Sequence, residues 1–386
     1  MATEKGKSPR YYIKTYGCQM NENDSARIAE LLESKGFQPV EENGGRWPQF
    51  KAALKQCSII LINTCVVRQH AEDKALGFIG ALSKFKNSNL GLKIGVCGCM
   101  ATNDQEELKK RFPFLDIVFG PKELGKLEEL LTSPLLFPSP SKMERGAERM
   151  RGGVRFVTIM TGCDNFCSYC VVPYVRGREA SRPMDEVLAE IQGLLELGVN
   201  EITLLGQNVN SYEHGLAELF NKIEKLVIRN SRFVIKFMTN HPRDLSDEII
   251  EAVKECPHVA KDFHLPLQAG DDAVLKAMNR GYTVEYFRER VNKIKGSMPE
   301  ATITTDFIVG FPGETEEQFQ NTLERVREFR FNAVNMAAYS PRPRTAAALM
   351  PDQLPDDVKQ ERLRRLKAVV HEVAGKGSRG QRACPL

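Results

Sequence analysis

The stretch Arg155–Cys170 reads RFVTIMTGCDNFCSYC. Its first six residues, Arg155–Met160, are rich in apolar and β-branched side chains and predict a strand. Three cysteines follow at once: Cys163, three residues, Cys167, two residues, Cys170. Zinc sites favour four ligands in two pairs, and no fourth Cys or His stands close to these in sequence. Thiolates are soft ligands suited to iron–sulfur clusters, and three of them on a four-iron cube leave one iron open. The bland alternatives are a zinc knuckle or buried free thiols; spacing and strand context together argue against both.

Further strands are predicted downstream in EITLLG (Glu201–Gly206), FVIKFM (Phe233–Met238), DFHL (Asp262–Leu265), TITTDFIVG (Thr302–Gly310) and AVNMAAY (Ala333–Tyr339). Helices are expected over Met184–Leu197, Leu216–Ile228, Ser246–Glu255, Val284–Lys295, Glu316–Phe329 and Asp356–Val373. Six strand–helix units predict an open (βα)6 partial TIM barrel, with chemistry at the C-terminal strand ends. Upstream, YYIKTY (Tyr11–Tyr16), SIILIN (Ser58–Asn63), KIGVC (Lys93–Cys97) and IVF (Ile117–Phe119) alternate with helical stretches at Asp24–Lys35, Arg68–Phe85 and Asp104–Arg111. That alternation predicts a small doubly wound parallel sheet. The expected organisation is α/β: an N-terminal domain over 10–135, a linker over 136–153, the barrel over 154–374 and an irregular basic tail over 375–386.

A second set of cysteines is more diffuse. Cys18 (YGCQMN), Cys65 (NTCVVR) and Cys99 (GCMA) each stand just past a predicted N-terminal strand. The C-terminal ends of parallel strands lie side by side, so three cysteines remote in sequence can converge on one point. On the residues alone, either a second cluster or buried structural thiols fits.

Cys-x3-Cys-x2-Cys, with Tyr169 before the last cysteine, resembles the radical S-adenosylmethionine superfamily. The run YGCQMN, INTCVVR, GCMA, TGCDNFCSYCVVPYVRGRE, LLGQNVNSY, HLPLQ, MNRGYT and TDFIVGFPGETEE, between residues 16 and 317, is similar throughout to the methylthiotransferases of that superfamily. Among these it most resembles the branch acting on N6-isopentenyladenosine of tRNA. The resemblance implies that Cys163, Cys167 and Cys170 bind a 4Fe–4S cluster whose open iron chelates S-adenosylmethionine. Cys18, Cys65 and Cys99 would bind an auxiliary 4Fe–4S cluster carrying sulfide or polysulfide. One S-adenosylmethionine methylates that sulfur; a second is cleaved to a 5′-deoxyadenosyl radical that removes hydrogen from C2 of the adenine. The substrate carbon is then expected between the two clusters, at the base immediately 3′ of the anticodon. Cys97 is expected to be a buried neighbour, and Cys57, Cys256 and Cys384 bystanders.

Supporting positions follow from the barrel pattern. Gln207 and Asn208, Thr239 and His241, and Gly310 with Phe311 and Pro312 stand just past strand ends and are candidates for holding S-adenosylmethionine. Glu314 is expected to cap the next helix. Arg176, Arg178 and Arg182, as flexible basic groups at a site mouth, suit RNA phosphates or the cofactor carboxylate. Tyr174 and Tyr212 are candidates for stacking on a splayed base.

Composition bounds these readings. Of 386 residues, 42% are hydrophobic and 27% charged, which predicts a packed core. The formal charge of +4 gives little warrant for nucleic acid by itself. No signal peptide or membrane-length apolar run is evident, so a cytoplasmic location is expected, where ten cysteines suggest metal or catalysis over disulfides. The expected partners are the tRNA anticodon stem-loop, an electron donor such as flavodoxin or ferredoxin, and cluster-assembly proteins, with no membrane.

Two departures from the family pattern stand out. Relatives carry a C-terminal β-barrel of the TRAM type that binds tRNA, whereas this chain runs out in GKGSRGQRACPL. Clusters are then expected to assemble while tRNA affinity falls. Arg344 stands where glycine is usual, and Ala269 where serine is usual. Alternative readings are a methylthiotransferase of threonylcarbamoyladenosine or of a ribosomal-protein aspartate, and a non-catalytic iron–sulfur binding or regulatory protein.

Overall fold

Ile59–Thr64, IILINT, is buried at every position, as a central strand covered on both faces must be. In the computed structural model, which describes residues 8–40, 54–66, 69–88, 91–132, 154–227 and 232–375, it is the middle of a five-stranded sheet. The expected linker over 136–153 and the tail beyond 375, with Cys384, lie outside the described residues. Contacts divide the chain into two units, Met1–Arg149 with Tyr174–Arg176, and Met150–Pro173 with Gly177–Leu386.

In the first unit, β1 (Arg10–Tyr16), β2 (Gln38–Pro39), β3 (Ile59–Thr64), β4 (Lys93–Gly98) and β5 (Ile117–Phe119) are parallel, in the order β2-β1-β3-β4-β5. Alternation sorts the side chains. Tyr12, Ile60, Ile62, Ile94 and Val96 pack on Ile79 and Leu82 of α2 (Gln69–Ser88). Tyr11, Ile59, Leu61, Cys97 and Phe119 pack on Ile28 and Leu32 of α1 (Gln19–Ser34) from the other side. Each such side chain contributes about 2 kcal/mol by leaving water. Register aligns Tyr16 with Thr64 and Thr64 with Gly98, so three strands end together. Between β4 and β5 lie α3 (Cys99–Asn103) and α4 (Gln105–Arg111), and α5 (Leu124–Thr132) follows β5.

The second unit carries the six barrel strands. β6 (Val154–Thr158) is followed by an antiparallel pair, β7 (Met160–Thr161) with β8 (Ala180–Ser181), which frames the cysteine loop between them. β9 (Glu201–Leu205) and β10 (Val234–Phe237) join β6 in one parallel sheet; β11 (Asp262–His264), β12 (Thr302–Val309) and β13 (Ala333–Ala338) form another. A bridge between Ile235 and Val259, with the bonds Ile235 N–H to His258 C=O and Ala260 N–H to Ile235 C=O, both 2.8 Å, ties the two sheets. The barrel is therefore six strands in chain order with a thinned ladder at its middle. On β12, Ile303, Phe307 and Val309 enter the large core with Phe287 and Phe331. Among the described residues, no helix is long and apolar enough to cross a membrane.

Two details change local expectations. The helix Glu316–Phe329 is capped by Thr315, whose Oγ1 accepts from Gln318 N–H at 3.2 Å while the Gln318 Oε1 accepts from Thr315 N–H at 2.9 Å. Glu314 is thus not the cap. Its buried carboxylate accepts from Gly310 N–H at 2.7 Å and pairs with Arg362 Nη1 at 2.7 Å, tying the C-terminal helix Asp356–Gly375 to the strand-end loop.

Arg344 adopts a φ of 68°, in the left-handed region that glycine tolerates and the Cβ of an L-residue disfavours. Arg344→Gly should therefore stabilise the second unit by about 1 kcal/mol, less the entropy glycine adds to the unfolded chain. A rise in the urea midpoint is the expected reading; a fall would mean the arginine side chain contributes more than its backbone costs.

Candidate functional site

The first cysteine set sits where β1, β3 and β4 end. Cys18 is the residue before α1, Cys65 directly follows β3, and Cys99 opens α3. Beneath them runs a buried polar network that the sequence reading passed over. Asn21 Nδ2 donates to Asn63 Oδ1 at 3.0 Å, Asn63 Nδ2 returns to Asn21 C=O at 2.8 Å, and Thr64 Oγ1 donates to Cys97 C=O at 2.8 Å. These bonds satisfy buried polar groups and lock the three cysteine-bearing ends to one another. Gly98, at φ 93°, has no room for a Cβ, which would fall 2.4 Å from Thr64 O. The signal was available: Asn21 belongs to YGCQMN and Asn63 and Thr64 to NTC.

Electrostatics distinguish these sulfurs. A hydrogen bond from Cys65 holds the Cys18 thiol down to about 6, against burial, with the Arg176 guanidinium assisting. Burial pushes the Cys99 thiol up, opposed by Arg176, whose Nε–H donates to Cys99 Sγ at 3.3 Å. Cys97 lies in the apolar core, its thiol pushed up by burial, and Cys57 is raised to about 12 for the same reason.

Arg176 departs from expectation. The sequence reading makes it a flexible group at a site mouth; the structure buries it to 5% exposure, with Nη2 on Asp24 Oδ2 at 2.8 Å and Nε on the cysteine. Charge alone does not distinguish a solvated arginine from one drawn inward by a carboxylate and a sulfur.

The second set lies in the loop between β7 and β8. Gly162, at φ 82°, turns the chain so tightly that a Cβ would lie 2.0 Å from Arg178 O. Cys163 N–H then bonds Gly177 C=O at 3.2 Å, Cys170 N–H bonds Cys167 C=O at 2.9 Å, and Ser168 N–H bonds Met278 C=O at 2.9 Å. Burial pushes the Cys163 thiol up and the Cys170 thiol up to about 12; charge on Cys167 adds to both. Such thiols ionise when a positive metal centre binds them, because coordination deprotonates sulfur. Among the described residues, no three His, Cys, Asp or Glu side chains gather closely enough to hold a single metal ion.

Facing this loop, the C-terminal ends of β9, β10 and β11 carry buried polar atoms with no hydrogen-bond partner: Asn210 Oδ1, both side-chain polar atoms of Asn240, both ring nitrogens of His241, and Gln268 Oε1. Orphaned buried groups are costly, and their convergence fits a polar ligand rather than a packed core. Backbone strain concentrates in the same region, at Phe166, Thr239, Gln268 and Asn279, all with positive φ. Burial and the neighbouring Arg280 and Arg243 charges take His241 down to about 2, leaving a neutral imidazole that can donate and accept. Of the expected cofactor residues, His241 and Thr239 thus stand in this region.

Others are committed elsewhere. Gln207 Oε1 accepts from Gly162 N–H, supporting the cysteine loop. Asn208 donates to Asp244 Oδ2 at 2.6 Å and accepts from His241 N–H at 3.1 Å, so it holds the next loop. Gly310 has positive φ, but the space a Cβ would need is filled by Lys359, 2.3 Å away. Its bareness makes room for the C-terminal helix. Tyr212 is buried and donates to Arg182 C=O at 2.8 Å, so it is unavailable for stacking; Tyr174 is 41% exposed. Arg178 is exposed, pairs with Asp164 at 2.9 Å and lies over the Phe166 ring. Arg182 Nη1 donates to Thr158 C=O and to Glu190, each at 2.7 Å.

Residues 157–326 match the model of the radical SAM superfamily, and residues 10–120 that of the uncharacterized protein family UPF0004. A tRNA-2-methylthio-N(6)-dimethylallyladenosine synthase of Caldicellulosiruptor saccharolyticus is 44% identical over 96% of this chain and 80% of its own length. Its namesake in Clostridium beijerinckii is 41% identical over 96% and 82%. The chain belongs to this synthase family. Membership in the family brings S-adenosylmethionine and 4Fe–4S clusters as cofactors and makes the chain a radical SAM enzyme. Among solved structures, the radical S-adenosylmethionine methyltransferase TsrM of Kitasatospora setae superposes with a TM-score of 0.64 at 14% identity, over 89% of this chain and 75% of that one. At that identity the likeness speaks for the fold alone.

Proposed function

We propose that the chain methylthiolates C2 of N6-isopentenyladenosine next to the anticodon of tRNA. The observation that carries this reading is the presence of two separate cysteine trios, one at the C-terminal ends of the parallel strands β1, β3 and β4 and one in the loop between β7 and β8, each supported by hydrogen bonds of its own. One trio alone would suit a radical enzyme that only removes hydrogen; sulfur insertion asks for a second thiolate site. Cys163, Cys167 and Cys170 hold the cluster at the barrel, and Cys18, Cys65 and Cys99 the auxiliary one. When bound, these clusters and S-adenosylmethionine supply the one-electron chemistry needed to open an unactivated C–H bond.

The residues of the chain bind and orient. His241, Asn210, Asn240 and Gln268 offer S-adenosylmethionine the hydrogen-bond partners they lack internally. Gln207 holds Gly162 and with it the approach to Cys163. The exposed Arg178 is the remaining candidate for an RNA phosphate, with Tyr174 for a base, and Arg182 in a lesser part. An electron donor such as flavodoxin or ferredoxin, cluster-assembly proteins and a cytoplasmic setting complete the reading. The domain limits 10–135 and 154–374 assign one cluster to each unit.

Anaerobic reconstitution followed by incubation with isopentenylated tRNA tests it. The expected product is the 2-methylthio nucleoside, read by mass spectrometry of the digested tRNA. Product formed only on tRNA bearing threonylcarbamoyladenosine would move the chain to a different branch of the methylthiotransferases.

A further inference from the structure

Arg280, in MNRGYT, is 4% exposed, and every partner it has is neutral or a sulfur. Its Nη1 donates to Cys167 Sγ at 3.2 Å and to Tyr169 Oη at 3.3 Å; its Nε donates to Tyr282 Oη at 3.0 Å, and its Nη2 to Pro266 C=O at 2.9 Å. The guanidinium also lies 5.3 Å from the Tyr282 ring centroid. Two other buried arginines are paired with carboxylates, Arg176 with Asp24 and Arg362 with Glu314. Among the described residues, Arg280 has no such partner. A permanently charged group buried without a counter-ion is strongly unfavourable, so a missing negative charge is implied beside Cys167.

We propose that Arg280 is the built-in counter-ion of the barrel cluster, donating an N–H···S bond to the Cys167 thiolate and raising that cluster's reduction potential. The proposal rests on the assignment of Cys163, Cys167 and Cys170 as its ligands. A four-iron cube with three thiolates is net negative in both oxidation states and more negative when reduced. A fixed cation at one ligand sulfur therefore stabilises the reduced form more than the oxidised form. Net charge and hydrogen bonds to sulfur are the levers that set such potentials. The hydroxyls of Tyr169 and Tyr282 and the Pro266 carbonyl hold the guanidinium plane, so the donor aimed at Cys167 is fixed in direction. Arg280 is thus a positioning residue, acting on chemistry through the cluster rather than by touching substrate.

The test uses the full chain carrying Cys18→Ala, Cys65→Ala and Cys99→Ala, so that only the barrel cluster titrates. Arg280, Arg280→Lys and Arg280→Gln proteins are reconstituted anaerobically, assayed for iron and sulfide, and titrated redox-potentiometrically by electron paramagnetic resonance without S-adenosylmethionine. Arg280→Gln should shift the midpoint to more negative potential, with Arg280→Lys between it and the parent because the charge survives but the fork geometry does not. Retention of iron by the lysine variant alone would also support the proposal. An unchanged midpoint in Arg280→Gln would overturn it, as would a lysine variant lower than the glutamine one. If neither variant folds by circular dichroism, or both fold without iron, the residue is scaffold and the proposal fails. A parent that takes up no iron would overturn the ligand assignment itself.

Discussion

Alanine at Cys163, Cys167 or Cys170 is expected to reduce the release of 5′-deoxyadenosine from S-adenosylmethionine to background and to remove about half of the bound iron. The reason lies in how the loop is built. Gly162 and the backbone bonds of Cys163, Cys170 and Ser168 fix the path of the loop that carries the three sulfurs. Two remaining sulfurs would have to hold a cube, and burial disfavours the ionisation of Cys163 and Cys170. Cys256→Ala is the matched control: Cys256 is buried and free, stands outside both sets, and should cost about 1 kcal/mol of stability while leaving iron content intact. Full cleavage activity in any one of the three variants would show that the loop is not the radical centre.

The parts of this arrangement that were legible in the chain are those with a local signal. IILINT reads as a buried strand because its run of four apolar residues, Ile59–Ile62, is what burial on two faces demands, and the cysteines just past each strand inherit their placement from parallel-sheet geometry. The first helix was less legible. It begins at Gln19, five residues before the expected Asp24, because QMNEN has no apolar period and its inward-facing Asn21 is held by Asn63 across the sheet. β2 is two residues long and leaves no pattern at all. Side-chain commitments were the least visible. Arg176, Asn208, Gly310 and Tyr212 occupy motif positions that suit ligand binding, but Asp24, Asp244, Lys359 and the Arg182 carbonyl claim them through contacts remote in sequence. Arg280 was silent for the same reason: a loop arginine gives no periodic signal, and only its lack of a carboxylate, seen in three dimensions, singles it out.

Alanine at Cys18, Cys65 or Cys99 should have the opposite effect. Production of 5′-deoxyadenosine should persist, methylthiolated tRNA should vanish, and iron should again fall by about half. The two outcomes separate because each trio is held by its own bonds: the network of Asn21, Asn63 and Thr64 closes within the first unit, and the cysteine loop is fastened to Gly177, Gln207 and Met278 within the second. Loss of one N-terminal sulfur therefore leaves the bonds of Cys163, Ser168 and Cys170 in place, Cys99→Ala removing in addition only the Arg176 Nε–H bond to its sulfur. Cys97→Ala supplies the internal comparison. Its side chain lies in the sheet core two residues before Cys99, so it should lower stability without touching iron or product. If Cys99→Ala and Cys97→Ala behaved alike, the N-terminal cysteines would be packing residues and sulfur insertion would need another source. A variant that lost cleavage and thiolation together would instead mean that the first unit supports the radical step, because the barrel's own ligands would all still be present.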